Sequence, residues 1–230
     1  MLTRRLFLAT ASAAATLPLT GSALASPTVG PAPGAAVPVP TALEIPLPAP
    51  AASGAAVAAN PLVANPLVER ARAELARLGD VIPHHDIVAV ADYGSASKTP
   101  RFHLLDMARG TVSSLLVSHG RGSDPGNSGW VKAFSNAFGS NASSEGAFRT
   151  AELYSGKHGR SMRLDGLDAG NSNARDRAIV IHSAWYVNPS MAAAAGRIGR
   201  SEGCFAFSDA DLPKVLDRLG PGRLLLSTKL

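Results

Sequence analysis

Between Asn65 and Gly79 apolar residues recur at the three- and four-residue spacing of an amphipathic helix. Leu67, Ala71, Leu75 and Leu78 share a face, while Glu69, Arg70, Arg72, Glu74 and Arg77 fall mostly off it. Asn65 is a suitable N-cap, Pro66 fits the first helical position and Gly79 supplies the stop, so a helix is predicted here. The period then shortens to that of strands. Ile87–Tyr93, Arg101–Met107, Thr111–His119, Ala147–Tyr154, Ala178–His182 and Arg223–Thr228 are short runs rich in β-branched, aliphatic or aromatic residues, bounded by Gly, Asn, Asp and Ser. The second and third of these read as a hairpin across Ala108–Gly110. Two further helices are predicted, an Ala-rich one over Pro189–Arg197 and another over Asp209–Leu219. The pattern is a mainly antiparallel β domain with a few peripheral helices, not an alternating βαβ chain.

The chain before this domain has a different composition. The opening MLTRRLFLATASAAATLPLTGSALA carries Arg4 and Arg5 ahead of an apolar run and ends in the small-x-small pattern Ala23-Leu24-Ala25. It reads as an export signal over residues 1–25, and its paired arginines resemble the twin-arginine type; an ordinary secretory signal is the alternative. The destination expected is the periplasm or the cell-envelope exterior. Ten of the 17 prolines fall between Ser26 and Pro66, with Glu44 as the sole charge, so 26–64 reads as an extended Pro/Ala-rich tether whose partner the sequence does not identify. The folded domain is expected over 65–230. No second apolar run reaches the ~18–20 residues that span a bilayer, so no membrane span is expected.

Charge narrows the field of partners. The whole chain has 22 Lys and Arg against 17 Asp and Glu; removing the two signal arginines leaves 20 against 17, a net of +3. That balance, without a run of Lys or Arg, gives no support for nucleic-acid binding. His84-His85-Asp86 looks like a metal cluster, but adjacent strand residues point to opposite faces, and the stretch reads instead as a solvated loop. No metal site and no cofactor is expected.

The candidate chemistry centres on the only cysteine, Cys204. An exported domain that uses cysteine structurally needs pairs of them. A single thiol is either a small buried hydrophobe or a nucleophile, and a nucleophile needs an imidazole to take its proton. Of six histidines, His182 is best placed, at the end of the run Ala178–His182 and joined to Cys204 through the Ala-rich helix.

The segments IVIHSAWYV and GRIGRSEGCFAFS resemble the catalytic region of the murein L,D-transpeptidases, the YkuD-type fold, whose signature is a His, a spacer and then Ser-x-Gly-Cys. Asp92-Tyr93-Gly94, RFHLLDM, VSHG, AFSNAFGSNASSEGAF, GKHGRSMRLDGLD and NARDRAIVIHS follow the family's order, so the resemblance runs from about Asp80 to the C-terminus. It implies an antiparallel β-sandwich or barrel of the L,D-transpeptidase type. Cys204 then matches the nucleophile, His182 the general base, and Ser183 the position whose carbonyl orients the imidazole. Ser201 and Gly203 match the flanking motif, and the N–H groups of Gly203 and Cys204 would stabilise the oxyanion. His158, Arg200, Trp185 and Tyr186 are candidates for substrate contact; the bland reading of His158 is an exposed turn histidine. The partners implied are peptidoglycan stem peptides. The implied reaction is acyl transfer, giving 3→3 cross-links with an amine acceptor or L,D-carboxypeptidase products with water.

Two positions depart from the family pattern. Glu202 stands where many relatives have His or an apolar residue, and Phe205-Ala206 replaces the Ile/Val-Arg that commonly follows the cysteine, leaving Arg197 or Arg200 as substitutes. Two rival functions stay open: a non-catalytic peptidoglycan-binding exported domain, and a metal-dependent murein peptidase, for which the His-Glu-x-x-His ligand pattern is absent.

Overall fold

The computed structural model describes residues 65–230. The export signal read at 1–25 and the tether read at 26–64 lie outside the described residues. The elements run α1 (Pro66–Leu78), β1 (His84–Asp92), β2 (Phe102–Asp106), β3 (Thr111–Leu115), β4 (Gly146–Gly156), β5 (Gly159–Gly166), β6 (Val180–Ser183), α2 (Pro189–Ala195), β7 (Phe205–Phe207), α3 (Leu212–Leu219) and β8 (Arg223–Thr228).

The eight strands form one sheet in the order β3-β2-β1-β8-β4-β5-β6-β7. Five pairings are antiparallel, as expected, but β1–β8 and β6–β7 run parallel. The chain after β3 curls the sheet back toward β7. The Ser118 N–H donates to the Ala206 carbonyl at 3.0 Å, Ser201 N–H to His119 carbonyl at 2.9 Å, and Arg121 N–H to Ser201 carbonyl at 2.8 Å.

Strand β1 shows why its sequence is an unbroken apolar run. Ile87, Ala89 and Ala91 face a core with Phe102, Phe148, Phe205, Phe207 and the inner side of α3. Val88 and Val90 face a second core with Leu224, Leu226 and α1. Both sides of the strand are buried, so no polar position alternates with the apolar ones. Full burial of each Val, Leu, Ile or Phe side chain in these layers contributes about 1.5–3 kcal/mol.

The cap expected at Asn65 is present, and a second one, not anticipated from the sequence, lies at Asn188. Asn65 Oδ1 accepts from Leu67 N–H at 2.9 Å, and Asn188 caps α2 by accepting from Met191 N–H at 2.7 Å. The buried stripe of α1 is Val68, Ala71, Glu74 and Leu75, rotated from the predicted face; Leu67 and Leu78 are only half-buried. Buried Glu74 is compensated by Arg70 at 2.9 Å and Arg77 at 2.7 Å.

Three expectations need correction. The hairpin between β2 and β3 has a four-residue connection, 107–110, closed by Arg109 N–H on Asp106 Oδ1 at 2.8 Å. His84, His85 and Asp86 open β1 rather than forming a loop, although all three are exposed. β5 and β7 are strands in their own right. Among the described residues, no helix is long and apolar enough to cross a membrane.

Candidate active site

Strands β6 and β7 lie side by side in parallel, with Ile181 opposite Phe205 and His182 opposite Ala206. The connection that makes this possible contains α2. It places Cys204, the residue before β7, two positions back along the neighbouring strand from the point opposite His182. Two residues is the repeat of a pleated strand, so the thiol and the imidazole are directed to one side. Both line a cleft of 630 Å³ together with Tyr154, Lys157, His158, Arg177, Ala178, Tyr186, Arg200, Ser201 and Glu202.

His182 is almost fully buried, and its Nδ1 lies 2.7 Å from the Ser183 carbonyl. A carbonyl oxygen only accepts, so Nδ1 carries the proton and Nε2 keeps its lone pair. Burial pushes the imidazole pKa below its ordinary value against the Ser183 bond, and the nearby charges of His158 and Lys157 add to the lowering. His158, on the turn between β4 and β5, stacks on His182 with ring centroids 4.3 Å apart. The structure thus makes His158 a cleft residue.

Cys204 is half-buried and its Sγ–H donates to the Ala178 carbonyl at 3.6 Å. Burial pushes the thiol pKa up, opposed by the Val180 N–H and by Lys157. The resting pair is a neutral thiol and a neutral imidazole, not a preformed ion pair.

The turn before the thiol is tightly specified. Ser201 Oγ donates to the Cys204 carbonyl at 2.7 Å and accepts from the Gly203 N–H at 3.2 Å. The Gly203 N–H, expected to serve an oxyanion, is therefore already spent inside the motif, leaving the Cys204 N–H as the motif's candidate donor. Gly203 has φ +117°, and a Cβ there would lie 2.8 Å from the Ala142 carbonyl oxygen, so only glycine fits without strain.

Arg177 is the residue that sequence reasoning missed. Its guanidinium donates to the Ser135 carbonyl (2.7 Å), Ser144 Oγ (2.6 Å), Ser140 Oγ (3.1 Å) and Ala142 carbonyl (2.7 Å). It clamps the 135–144 loop against the Gly203 turn. The available signal was an arginine abutting an apolar strand, beside a Ser-rich loop short of long donors. Arg200 lines the cleft and donates to the Asp124 carbonyl. Arg197 bonds only its local Ala195 carbonyl, at 3.2 Å, and does not line the cleft. Tyr186 lines the cleft, whereas Trp185 is 76% exposed and lies outside the lining.

Behind the site Arg101, His119 and Asp124 are all fully buried. Arg101 Nη2 donates to His119 Nδ1 at 2.6 Å, so the ring's proton sits on Nε2, which faces Asp124 Oδ2 at 3.4 Å. Burial, then the Arg101 charge, pushes His119 down to about 4. Burial acts to raise Asp124, but the donors of Ser128 and the Gly129 N–H outweigh it and hold the carboxylate at about 2. Arg101, lowered by burial to about 10, stays charged at neutral pH. Among the described residues, no three His, Cys, Asp or Glu side chains converge as metal ligands would.

A thiol and an Nδ1–H imidazole on adjoining parallel strands of a curled β-sheet thus share one cleft. Residues 62–227, well over half the chain, match the profile of the L,D-transpeptidase catalytic domain, and the chain belongs to that family. Similar solved structures include an L,D-transpeptidase from Mycobacterium smegmatis, at 14% identity over 62% of this chain and 58% of that one, TM-score 0.36. L,D-transpeptidase 3 from Mycobacterium tuberculosis, in complex with a faropenem-derived adduct, is 12% identical over 63% and 60%, TM-score 0.38. The helical cell shape determining protein Pgp2 from Campylobacter jejuni is 12% identical over 69% and 54%, TM-score 0.40. The chain spans less than two thirds of the length of these structures. No curated protein matches the sequence.

Proposed function

We propose that this protein is a cysteine-dependent acyltransferase acting on peptidoglycan stem peptides outside the cytoplasm. The observation that carries this reading is the His182 tautomer: Nδ1–H is held by the Ser183 carbonyl at 2.7 Å, which leaves Nε2 as a base in the cleft that holds the only thiol. His182 Nε2 takes the Cys204 proton as the sulfur attacks the carbonyl of the L-centre of the donor's diaminopimelate. The C–S bond forms, the C–N bond breaks, and the imidazolium returns the proton to the departing D-Ala amine. The Cys204 N–H stabilises the tetrahedral oxyanion. The thioester then goes to an amine, giving a 3→3 cross-link, or to water, giving an L,D-carboxypeptidase product.

Because the resting thiol is held protonated, thiolate forms only as His182 accepts its proton. Acylation therefore falls as pH drops through the depressed His182 pKa and His182 becomes charged. The test is mass spectrometry of the full chain incubated with a disaccharide-tetrapeptide or a carbapenem. A covalent adduct on the wild type and none on Cys204→Ala is the expected result; labelling of that variant refutes the assignment. A binding-only domain would keep all measurable properties after thiol alkylation.

A further inference from the structure

The acid in the cleft raises a question about which nucleophile ends the acyl-enzyme, and its answer rests on the acyl-transfer reading above. Among the cleft-lining residues Lys157, Arg177 and Arg200 are cations and Glu202 is the single acid. Two of the cations are committed to backbone and loop: Arg177 through four hydrogen bonds and Arg200 through the Asp124 carbonyl. Glu202 is two residues from the thiol, on a turn pinned by Ser201 and by the obligatory Gly203. Its charge is felt at both Cys204 and Tyr186, where it adds to the upward push of burial.

Glu202 is paired, but weakly. Arg121 Nη2 lies 2.9 Å away, and the two side chains are 56% and 68% exposed. An exposed pair of this kind contributes about 0–1 kcal/mol, so another cation can replace Arg121 readily. A carboxylate beside the nucleophile does nothing to help form a thiolate, which it repels. It suits a later moment, when sulfur is acylated and neutral and a cationic amine must arrive before water does.

We propose that Glu202 is the specificity residue for the acceptor: its carboxylate exchanges Arg121 for the ammonium group of the incoming amine and holds it beside the Cys204 thioester. The ammonium gives one proton to His182 Nε2, and the freed nitrogen attacks the thioester carbonyl. A C–N bond forms, the C–S bond breaks, and the attacking nitrogen's second proton passes to the departing sulfur. The sum is thioester plus ammonium giving amide, thiol and one proton, which His182 releases to solvent. Glu202 itself transfers no proton. The acceptor class is thus a primary ammonium, and the cleft is biased toward cross-linking over hydrolysis.

The experiment starts from the acyl-enzyme formed on the full chain with a tetrapeptide donor. A second stem peptide with a free side-chain amine is titrated in, and dimer and trimmed tripeptide are quantified by mass spectrometry. Glu202→Gln is expected to raise the acceptor concentration for half-capture roughly 2- to 5-fold, as for loss of an exposed ion pair. Glu202→Lys should lose nearly all dimer, and Arg121→Gln should lower the half-capture concentration about twofold by freeing the carboxylate. Rising salt should weaken capture in the wild type and not in Glu202→Gln. Wild-type partition in both Glu202 variants overturns this proposal while leaving acyl transfer intact. Absence of any acyl-enzyme in the wild type overturns both.

Discussion

Arg101, His119 and Asp124 are shut away from solvent, and each directs its hydrogen bonds to another of the three or to nearby backbone and hydroxyl groups. His182, His158 and Cys204 border an open cleft, and His182 commits only one ring nitrogen. The two groups are joined through Ser201, whose N–H bonds the His119 carbonyl, and through Arg200 on Asp124. The buried group has satisfied charges with one arrangement. In the cleft, Cys204 and His182 have neutral resting forms with capacity in reserve. Removing a member of the first should cost stability, and removing a member of the second should cost chemistry.

The largest effect expected is at the cleft. His182→Gln should lower acylation by roughly 10³-fold or more, since the proposed nucleophile and its proposed base would act as a unit. Its urea unfolding midpoint should shift little, because the Ser183 carbonyl lies near the strand's end and Gln can still donate to it. A loss of stability matching the loss of rate would erase the distinction between the two groups.

The complementary change is His119→Leu. It leaves the Arg101 guanidinium and the Asp124 carboxylate buried without their shared partner, a loss of about 3–5 kcal/mol in denaturant unfolding. Double-mutant analysis with Asp124→Asn should show strong coupling. Additive effects would mean that the three residues are not one network.

Acid should separate the groups again. A histidine whose folded pKa lies below its unfolded value of ~6.5 stabilises the fold above that pH, and the contribution is lost as pH falls toward the folded value. For His119, with a folded value of about 4, the window is pH 6.5 to 4 and the loss is about 3 kcal/mol. His182 and His103 are also lowered and act in the same direction. Asp124, held at about 2, stays ionised through this window. Stability followed by urea titration across it should therefore slope steeply in the wild type and less in His119→Gln. An unchanged slope would remove His119 as the principal acid-sensitive group.

How much of this was readable beforehand follows the range of each interaction. The cap at Asn65 and the apolar runs of β1, β2 and β8 are local, and the sequence displays them. β5 was hidden because only Met162-Arg163-Leu164-Asp165 alternates, in a strand that otherwise reads Gly, Arg, Ser and Gly, and β7 because three residues carry no period. The parallel pairings join segments distant in the chain, which no local pattern announces. In the site, Cys204, His182 and Ser183 lie on motif segments and were legible. Arg177 was not, because its partners are four groups on a loop 33 to 42 residues away. The Arg101–His119–Asp124 network shares this character in part: His119 and Asp124 are only five residues apart, but Arg101 enters from 18 residues upstream, just before β2.

The smallest effect lies where the cleft borrows a rigid backbone. Ala178 holds φ +54°, a left-handed conformation that costs a residue with a Cβ about 1–2 kcal/mol. The turn is fixed by Ala178 N–H on the Arg175 carbonyl at 3.0 Å and Ile179 N–H on the Ala174 carbonyl at 2.9 Å. Its own carbonyl accepts the Cys204 thiol. Ala178→Gly relieves the strain but frees the unfolded chain, a cost of about 0.5–1 kcal/mol. The net gain should be at most about 1.5 kcal/mol, seen as a rise of a few degrees in Tm. Because the flanking backbone bonds remain, the rate of thiol alkylation should stay within about twofold of wild type. Faster alkylation with the expected gain in Tm would show that the strained turn, and not burial alone, restrains the thiol. A lower Tm would show that the left-handed turn carries no strain to relieve.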